Sequence, residues 1–244
     1  MAVLLAGCGR SPGAEPFEIT ARYPHDSAAY TQGLVFADGV LLESTGRYGH
    51  AELRRVDIRS GRVLAAVRLA PDRFGEGLAL LRGRLYQLTW KAGVAYTYDA
   101  ATFALVDSLS YPGEGWGLAT DGASLIMSDG SDSLRFLAPA TFRVQRVVHV
   151  RHRGAPLRGL NELEYVKGDL FANVYQTNWI LRIDPGTGEV RELLDFADLY
   201  PTFRRSPWAD VMNGIAVAES GELLLTGKLW PVVFRVRLRD PVAP

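Results

Sequence analysis

The chain has 244 residues, enough to bury a substantial core as one large β domain or as two smaller ones. Its 27 Lys+Arg balance 27 Asp+Glu, so no long-range field draws it toward nucleic acid or an anionic membrane surface, and no apolar run of about 20 residues offers a membrane-spanning helix. Twenty-five glycines and 10% aromatic residues suit many short strands joined by tight turns better than a helical protein.

At the front, the only cysteine, Cys8, excludes an internal disulfide and a cysteine-based zinc cluster. It closes the run Leu4-Leu5-Ala6-Gly7-Cys8, and the polar Arg10-Ser11-Pro12-Gly13 follows. That arrangement resembles the lipobox of a bacterial lipoprotein signal, although the apolar run is short and no basic residue precedes it. It predicts a leader and linker over residues 1–16, one domain over residues 17–244, and export, either to the periplasm or as a lipoprotein anchored through Cys8, with a disordered cytosolic tail as the alternative.

The next segment, Phe17-Glu18-Ile19-Thr20-Ala21-Arg22, alternates apolar and polar residues as a half-exposed strand does. Beyond it the chain repeats a strand signature five times: Gln32-Gly33-Leu34, Glu76-Gly77-Leu78, Trp116-Gly117-Leu118, Asn161-Glu162-Leu163 and Asn213-Gly214-Ile215. Successive copies lie 44, 40, 45 and 52 residues apart, the length of a four-stranded propeller blade. A hairpin signature recurs downstream of the first four, around Asp57, Asp99, Ala138 and Asp184. The fifth blade offers only Glu222 to Thr226 and Val232 to Leu238 after its inner strand, so it is one strand short. The Phe17–Arg22 strand can supply the missing one and remove an open edge. The expected fold is therefore all-β, a five-bladed β-propeller of four-stranded blades closed by an N-terminal strand. The best helical signal, Leu193 to Tyr200, reads as a loop or one short turn of helix.

In a propeller, equivalent positions of the inner strands ring the axis, and the second strand of each blade returns to the same face. The first ring is Gln32, Glu76, Trp116, Asn161 and Asn213, and the second is Ser44, Trp90, Asp129, Tyr175 and Lys228. Together they predict one face carrying a carboxylate, carboxamides and an ammonium among aromatic walls. His25, His50, His149 and His152 show no zinc-site spacing, and His149 with His152 falls in a basic segment expected at the surface.

Several of these segments carry a more specific likeness. Tyr30-Thr31-Gln32-Gly33-Leu34, Glu43-Ser44-Thr45-Gly46-Arg47-Tyr48-Gly49, Phe74-Gly75-Glu76-Gly77, Leu88-Thr89-Trp90-Lys91, Gly113-Glu114-Gly115-Trp116-Gly117-Leu118, Leu160-Asn161-Glu162-Leu163-Glu164, Ala172-Asn173-Val174-Tyr175-Gln176-Thr177 and Gly227-Lys228-Leu229-Trp230-Pro231 resemble, in order, successive motifs of the plant-type glutaminyl cyclases. The likeness runs from about Tyr23 to Arg237. It implies a five-bladed propeller, a monomer, and an enzyme that closes the N-terminal glutaminyl residue of peptides or proteins to pyroglutamate with release of ammonia. It implies Glu76, Asn161 and Lys228 as catalytic residues, with Glu76 handling the proton and the other two fixing the carboxamide and polarising its oxygen. Gln32, Tyr30, Phe74, Trp90, Trp116 and Tyr175 are implied around the substrate, Tyr175 standing where the family pattern has tryptophan. No metal ligand and no catalytic cofactor is implied, though a structural calcium in the central channel is compatible.

Two alternatives stand beside this reading. Glu76, Asn161, Asn213 and Asp129 supply oxygen ligands of the kind a calcium-dependent, lactonase-like propeller hydrolase uses. A binding propeller on the cell envelope, without activity, is the other.

Overall fold

The computed structural model describes residues 16–239, which form five four-stranded antiparallel sheets arranged as propeller blades. From the axis outward, blade 1 is Thr31–Ala37, Val40–Thr45, Glu52–Asp57 and Val63–Arg68, and blade 2 is Gly75–Leu81, Arg84–Thr89, Val94–Asp99 and Leu105–Ser110. Blade 3 is Leu118–Thr120, Leu125–Met127, Ser133–Leu137 and Val144–His149, and blade 4 is Leu160–Val166, Asp169–Val174, Trp179–Ile183 and Val190–Asp195. Blade 5 takes Met212–Val217, Leu223–Gly227 and Val232–Leu238 from the end of the chain, and its outermost strand, Phe17–Pro24, from the beginning. Phe17 faces Leu238 and Pro24 faces Val232, so the expected closure by the N-terminal strand is present. A small hairpin, Arg151–His152 with Ala155–Pro156, is added between blades 3 and 4. The lipobox-like segment at Cys8 lies outside the described residues.

The recurring hairpin signature has a common geometry. Gly61, Phe103, Phe142 and Gly188 donate their N–H groups to the carbonyls of Asp57, Asp99, Ala138 and Asp184, each at 2.8 Å. All four adopt positive φ, between 55° and 81°. Glycine takes that conformation freely, while Phe103 and Phe142 do so with rings buried at 5% and 3% exposure, where packing offsets the strain. In three of the copies an aspartate oxygen (Asp57, Asp99 or Asp184) also accepts backbone N–H groups across the turn, which explains why aspartate recurs there.

The cores lie between blades. Trp230, fully buried, packs with Phe17, Phe196 and Phe234 where blade 5 meets blade 4, and losing such a side chain costs about 3–5 kcal/mol. Around the axis the inner strands approach closely. A side chain added at Gly117 would stand 1.9 Å from the Asn161 carbonyl oxygen. Blade 4 has Glu162 at the equivalent position instead, and its carboxyl accepts the N–H groups of Ile215 at 2.8 Å and Leu34 at 3.3 Å, tying three blades together. Burial and then Glu164 beside it hold the Glu162 carboxyl well above the usual carboxylate range.

One expectation is corrected. Leu193 to Asp195 complete the outer strand of blade 4 and pair with Trp179–Leu181, rather than forming a loop or helical turn. Leu194 points into the core at 2% exposure, so sheet pairing overrides the local helix preference of the Leu193-Leu194 pair. The 3-10 turn of this stretch comes later, at Thr202–Arg204.

Candidate active site

The inner strands do not run straight past their neighbours. In blades 1, 2, 4 and 5 the pairing with the second strand slips by one residue, between Thr31 and Gly33, Gly75 and Leu78, Leu160 and Leu163, and Met212 and Ile215. Gln32, Glu76, Asn161 and Asn213 therefore sit on β-bulges, a device that re-aims a side chain out of the sheet pattern. The ends of the second strands arrive beside them: Trp90 N donates to Phe74 O at 3.0 Å and Lys228 N to Val211 O at 3.0 Å.

These elements enclose a cleft of about 260 Å³ lined by Tyr30, Gln32, Phe74, Glu76, Trp90, Trp116, Asn161, Tyr175 and Lys228. All nine site residues expected from sequence are thus together, drawn from all five blades and the segments that join them. The other ring positions are elsewhere. Asn213 donates to Thr31 O at 3.0 Å and Gln32 Oε1 at 3.3 Å, acting behind the lining. Ser44 is buried against Gln87 at 2.8 Å. Asp129 pairs with Arg135 and Ser131, so the four-oxygen calcium set is not assembled at the cleft. Among the described residues, no three His, Cys, Asp or Glu side chains come together in a group that could hold a metal ion.

The charged groups in the cleft are out of water. Glu76 and Lys228 are each 4% exposed. Gln32 Nε2 donates to Glu76 Oε1 at 2.8 Å, and Asn213 behind it fixes which end of that amide faces the carboxyl. Burial pushes the Glu76 carboxyl well above the usual range; Lys228 opposes that, and Glu114 adds to it. Burial likewise lowers the Lys228 ammonium from its usual value, with Glu76 and Asp210 offsetting part of the effect. Lys228 Nζ lies 4.9 Å from the centre of the Tyr30 ring and 5.3 Å from that of Tyr175, so two π-faces stand in for water around the charge. Asn161 is 3% exposed, and its Oδ1 has no hydrogen-bond partner, an expensive omission for a buried acceptor unless a ligand fills it.

The aromatic walls brace one another edge to face. Phe74 meets Tyr30 at 6.0 Å, Tyr48 at 5.4 Å and Trp90 at 5.6 Å between ring centres, while Trp116 meets Tyr175 at 5.4 Å. Trp116 lies flat against Gly130, where any side chain would come within 2.8 Å of its ring. Tyr175 is 39% exposed, which puts it at the mouth.

Sequence reasoning missed two acidic residues at this face. Glu114 accepts from both cleft indoles, and Asp210 accepts from Tyr30 Oη at 3.2 Å while its backbone bonds Lys228 and Trp230. Glu114 was within reach, since it lies two residues before Trp116 in a motif already singled out. Asp210 sits in a loop with no repeat signature.

Comparisons with known proteins identify the family. Residues 6–238 match the model of the glutamine cyclotransferase family. The chain is 39% identical over 231 residues to a glutaminyl-peptide cyclotransferase of Arabidopsis thaliana, covering 93% of this chain and 72% of that protein. The crystal structure of Myxococcus xanthus glutaminyl cyclase superposes with a TM-score of 0.84 at 39% identity, covering 91% of this chain and 96% of that one. Blade count, cleft lining and similarity along nearly the whole chain converge: this protein belongs to the glutamine cyclotransferase family.

Proposed function

We propose that the cleft converts the N-terminal glutaminyl residue of a peptide to pyroglutamate and releases ammonia. The observation that carries this reading is a buried carboxyl and a buried ammonium, Glu76 and Lys228, facing one aromatic cleft with their proton affinities drawn toward each other by burial.

Nucleophile and electrophile are on the same residue, so the site's work is orientation, proton transfer and stabilisation of an oxyanion. The α-nitrogen attacks the side-chain carboxamide carbon and gives its proton to Glu76. A free α-amine has a pKa of roughly 7.7–8.0, so a carboxylate raised above its usual range is better matched to accept that proton than an exposed one. The carbonyl oxygen becomes an oxyanion facing the Lys228 ammonium. Asn161 Oδ1, unpartnered in the structure, takes an N–H of the carboxamide and fixes its plane. Collapse breaks the bond to the carboxamide nitrogen, which leaves as ammonia with the proton returned by Glu76. A five-membered lactam remains, Glu76 is again a carboxylate, and the balance closes without cofactor or metal. Tyr30, Phe74, Trp90 and Trp116 exclude water, and Gln32 holds the base in place.

Export with a lipid anchor at Cys8 and action as a monomer belong to the same reading, and the anchor rests on the leader motif. Palmitate labelling that is lost in Cys8→Ser would test it. The function is tested by mass spectrometry of a Gln-initiated peptide incubated with the protein. Loss of one ammonia is expected, and an unchanged mass would overturn the reading.

A further inference from the structure

Two walls of the cleft come from different blades but end on one oxygen. Trp90 Nε1 donates to Glu114 Oε2 at 2.7 Å, and Trp116 Nε1 donates to the same oxygen at 3.0 Å. Trp90 follows the second strand of blade 2, Trp116 precedes the inner strand of blade 3, and Glu114 lies on the connection between these blades. An indole N–H can only donate, so it needs an acceptor, and sharing that acceptor fixes the two ring planes relative to each other. The other oxygen, Oε1, faces solvent-side Lys91 at 3.9 Å, an exposed pair worth little by itself.

A neutral acceptor could hold two indoles equally well. A carboxylate also places a negative charge beside the base, and Glu114 is among the groups that raise the Glu76 carboxyl. The other groups acting on Glu76 are Lys228, Gln32 and the Tyr111 hydroxyl, whereas both indole N–H groups bond to Glu114.

We propose that Glu114 is a positioning residue for the cyclisation: its carboxylate clamps Trp90 and Trp116 into one wall, and its charge sets the field in which Glu76 and the incoming α-ammonium exchange a proton. This rests on the cyclisation reading given above. It assigns Glu114 two separable jobs. Glu114→Gln keeps an oxygen that can accept both indole N–H groups but loses the charge, whereas Glu114→Ala loses both.

The test combines near-UV circular dichroism with the pH profile of kcat/KM on a Gln-initiated peptide. In Glu114→Ala the tryptophan bands should weaken and kcat should fall by about 10²-fold, the size of effect that misplaced cleft groups produce. In Glu114→Gln the bands should persist, and the acid limb of the profile should move to lower pH, because removing a neighbouring negative charge lowers the proton affinity of Glu76 in the free enzyme, the state that kcat/KM reports. Wild-type bands and kcat in the alanine variant would overturn the clamp, and an unmoved acid limb in the glutamine variant would overturn the charge role. If Glu114→Ala does not fold, the glutamine variant still reads both jobs, since lost bands there would refute a clamp that any oxygen can serve. A wild-type protein that releases no ammonia would instead bring down the cyclisation reading itself.

Discussion

Glu76 and Glu43 are both glutamates removed from water, at 4% and 1% exposure, and their protons behave in opposite ways. Glu43 lies on the second strand of blade 1. It accepts from Thr31 Oγ1 at 2.8 Å and pairs with His25 Nε2 at 3.1 Å, and Arg54 stands 4.0 Å away. Burial alone would raise its carboxyl, but His25 and Arg54 outweigh burial and hold it below the usual range. His25 in turn contacts the Trp230 carbonyl through Nδ1 at 2.7 Å, so both ring nitrogens face acceptors; burial lowers its proton affinity, but Glu43 and the Trp230 carbonyl outweigh burial and raise it above the usual value. Glu76 has a single neutral amide donor, Gln32, and a lysine that acts on it only through space. A buried carboxylate with complete partners ties blade 1 to the closing turn of blade 5. One with incomplete partners is held ready for a substrate to complete it.

The largest effect that would sharpen this contrast is on activity. Glu76→Gln should lower kcat on a Gln-initiated peptide by roughly 10²–10⁴-fold, the range expected for loss of a general base, with the far-UV spectrum unchanged. Its melting temperature should stay equal or rise at neutral pH, because a carboxyl with a raised folded pKa penalises the fold as pH climbs above its unfolded value. Destabilisation in that variant would break the comparison.

Next in size, Glu43→Gln should cost about 3–5 kcal/mol of stability, as expected when one partner of a buried ion pair is removed, while the surviving folded fraction keeps wild-type kcat. Its deficit should depend on pH in a defined way. The depressed Glu43 carboxyl contributes above its unfolded pKa and loses that contribution as pH falls through its folded value, whereas the raised His25 contributes below its unfolded pKa and loses that contribution as pH rises through its folded value. The gap between wild type and Glu43→Gln should therefore be widest between about pH 4.3 and 6.5, read from melting temperatures across that window. A gap that keeps growing above neutral pH would contradict the pairing.

Lys228→Ala should lower kcat by about 10²–10³-fold with a smaller change in KM, since its contact strengthens as the oxyanion forms. A rise in KM alone would move Lys228 from catalysis to binding.

Much of this was legible before the fold was seen, and the limits follow from physics. Blade count and closure could be read because the blades repeat their local chemistry: a glycine where inner strands crowd the axis in four of the five, and a left-handed position at the outer hairpin of the first four. Seven of the nine cleft residues could be placed because they recur at fixed offsets within or beside the inner and second strands, whereas Tyr30 and Phe74 came from the family likeness alone. Repeat position alone could not separate Gln32, in the lining, from Asn213, which supports it from behind. Nor could it show that Asp129 is spent on Arg135 six residues away. The Glu43–His25–Trp230 link joins segments up to 205 residues apart, and the buried imidazole leaves no spacing signal. Leu193–Asp195 read as a loop or a short helical turn because their strand character comes from a neighbour, not from their own pattern.

The most direct measurement is a titration of both glutamates in one sample. Carboxyl ¹³C NMR of protein labelled at glutamate, with the two signals assigned by their loss in Glu76→Gln and Glu43→Gln, reads each midpoint separately. The account predicts Glu76 titrating well above, and Glu43 below, the ordinary glutamate value of about 4.3. Midpoints that coincide there, or that stand in the reverse order, would contradict it.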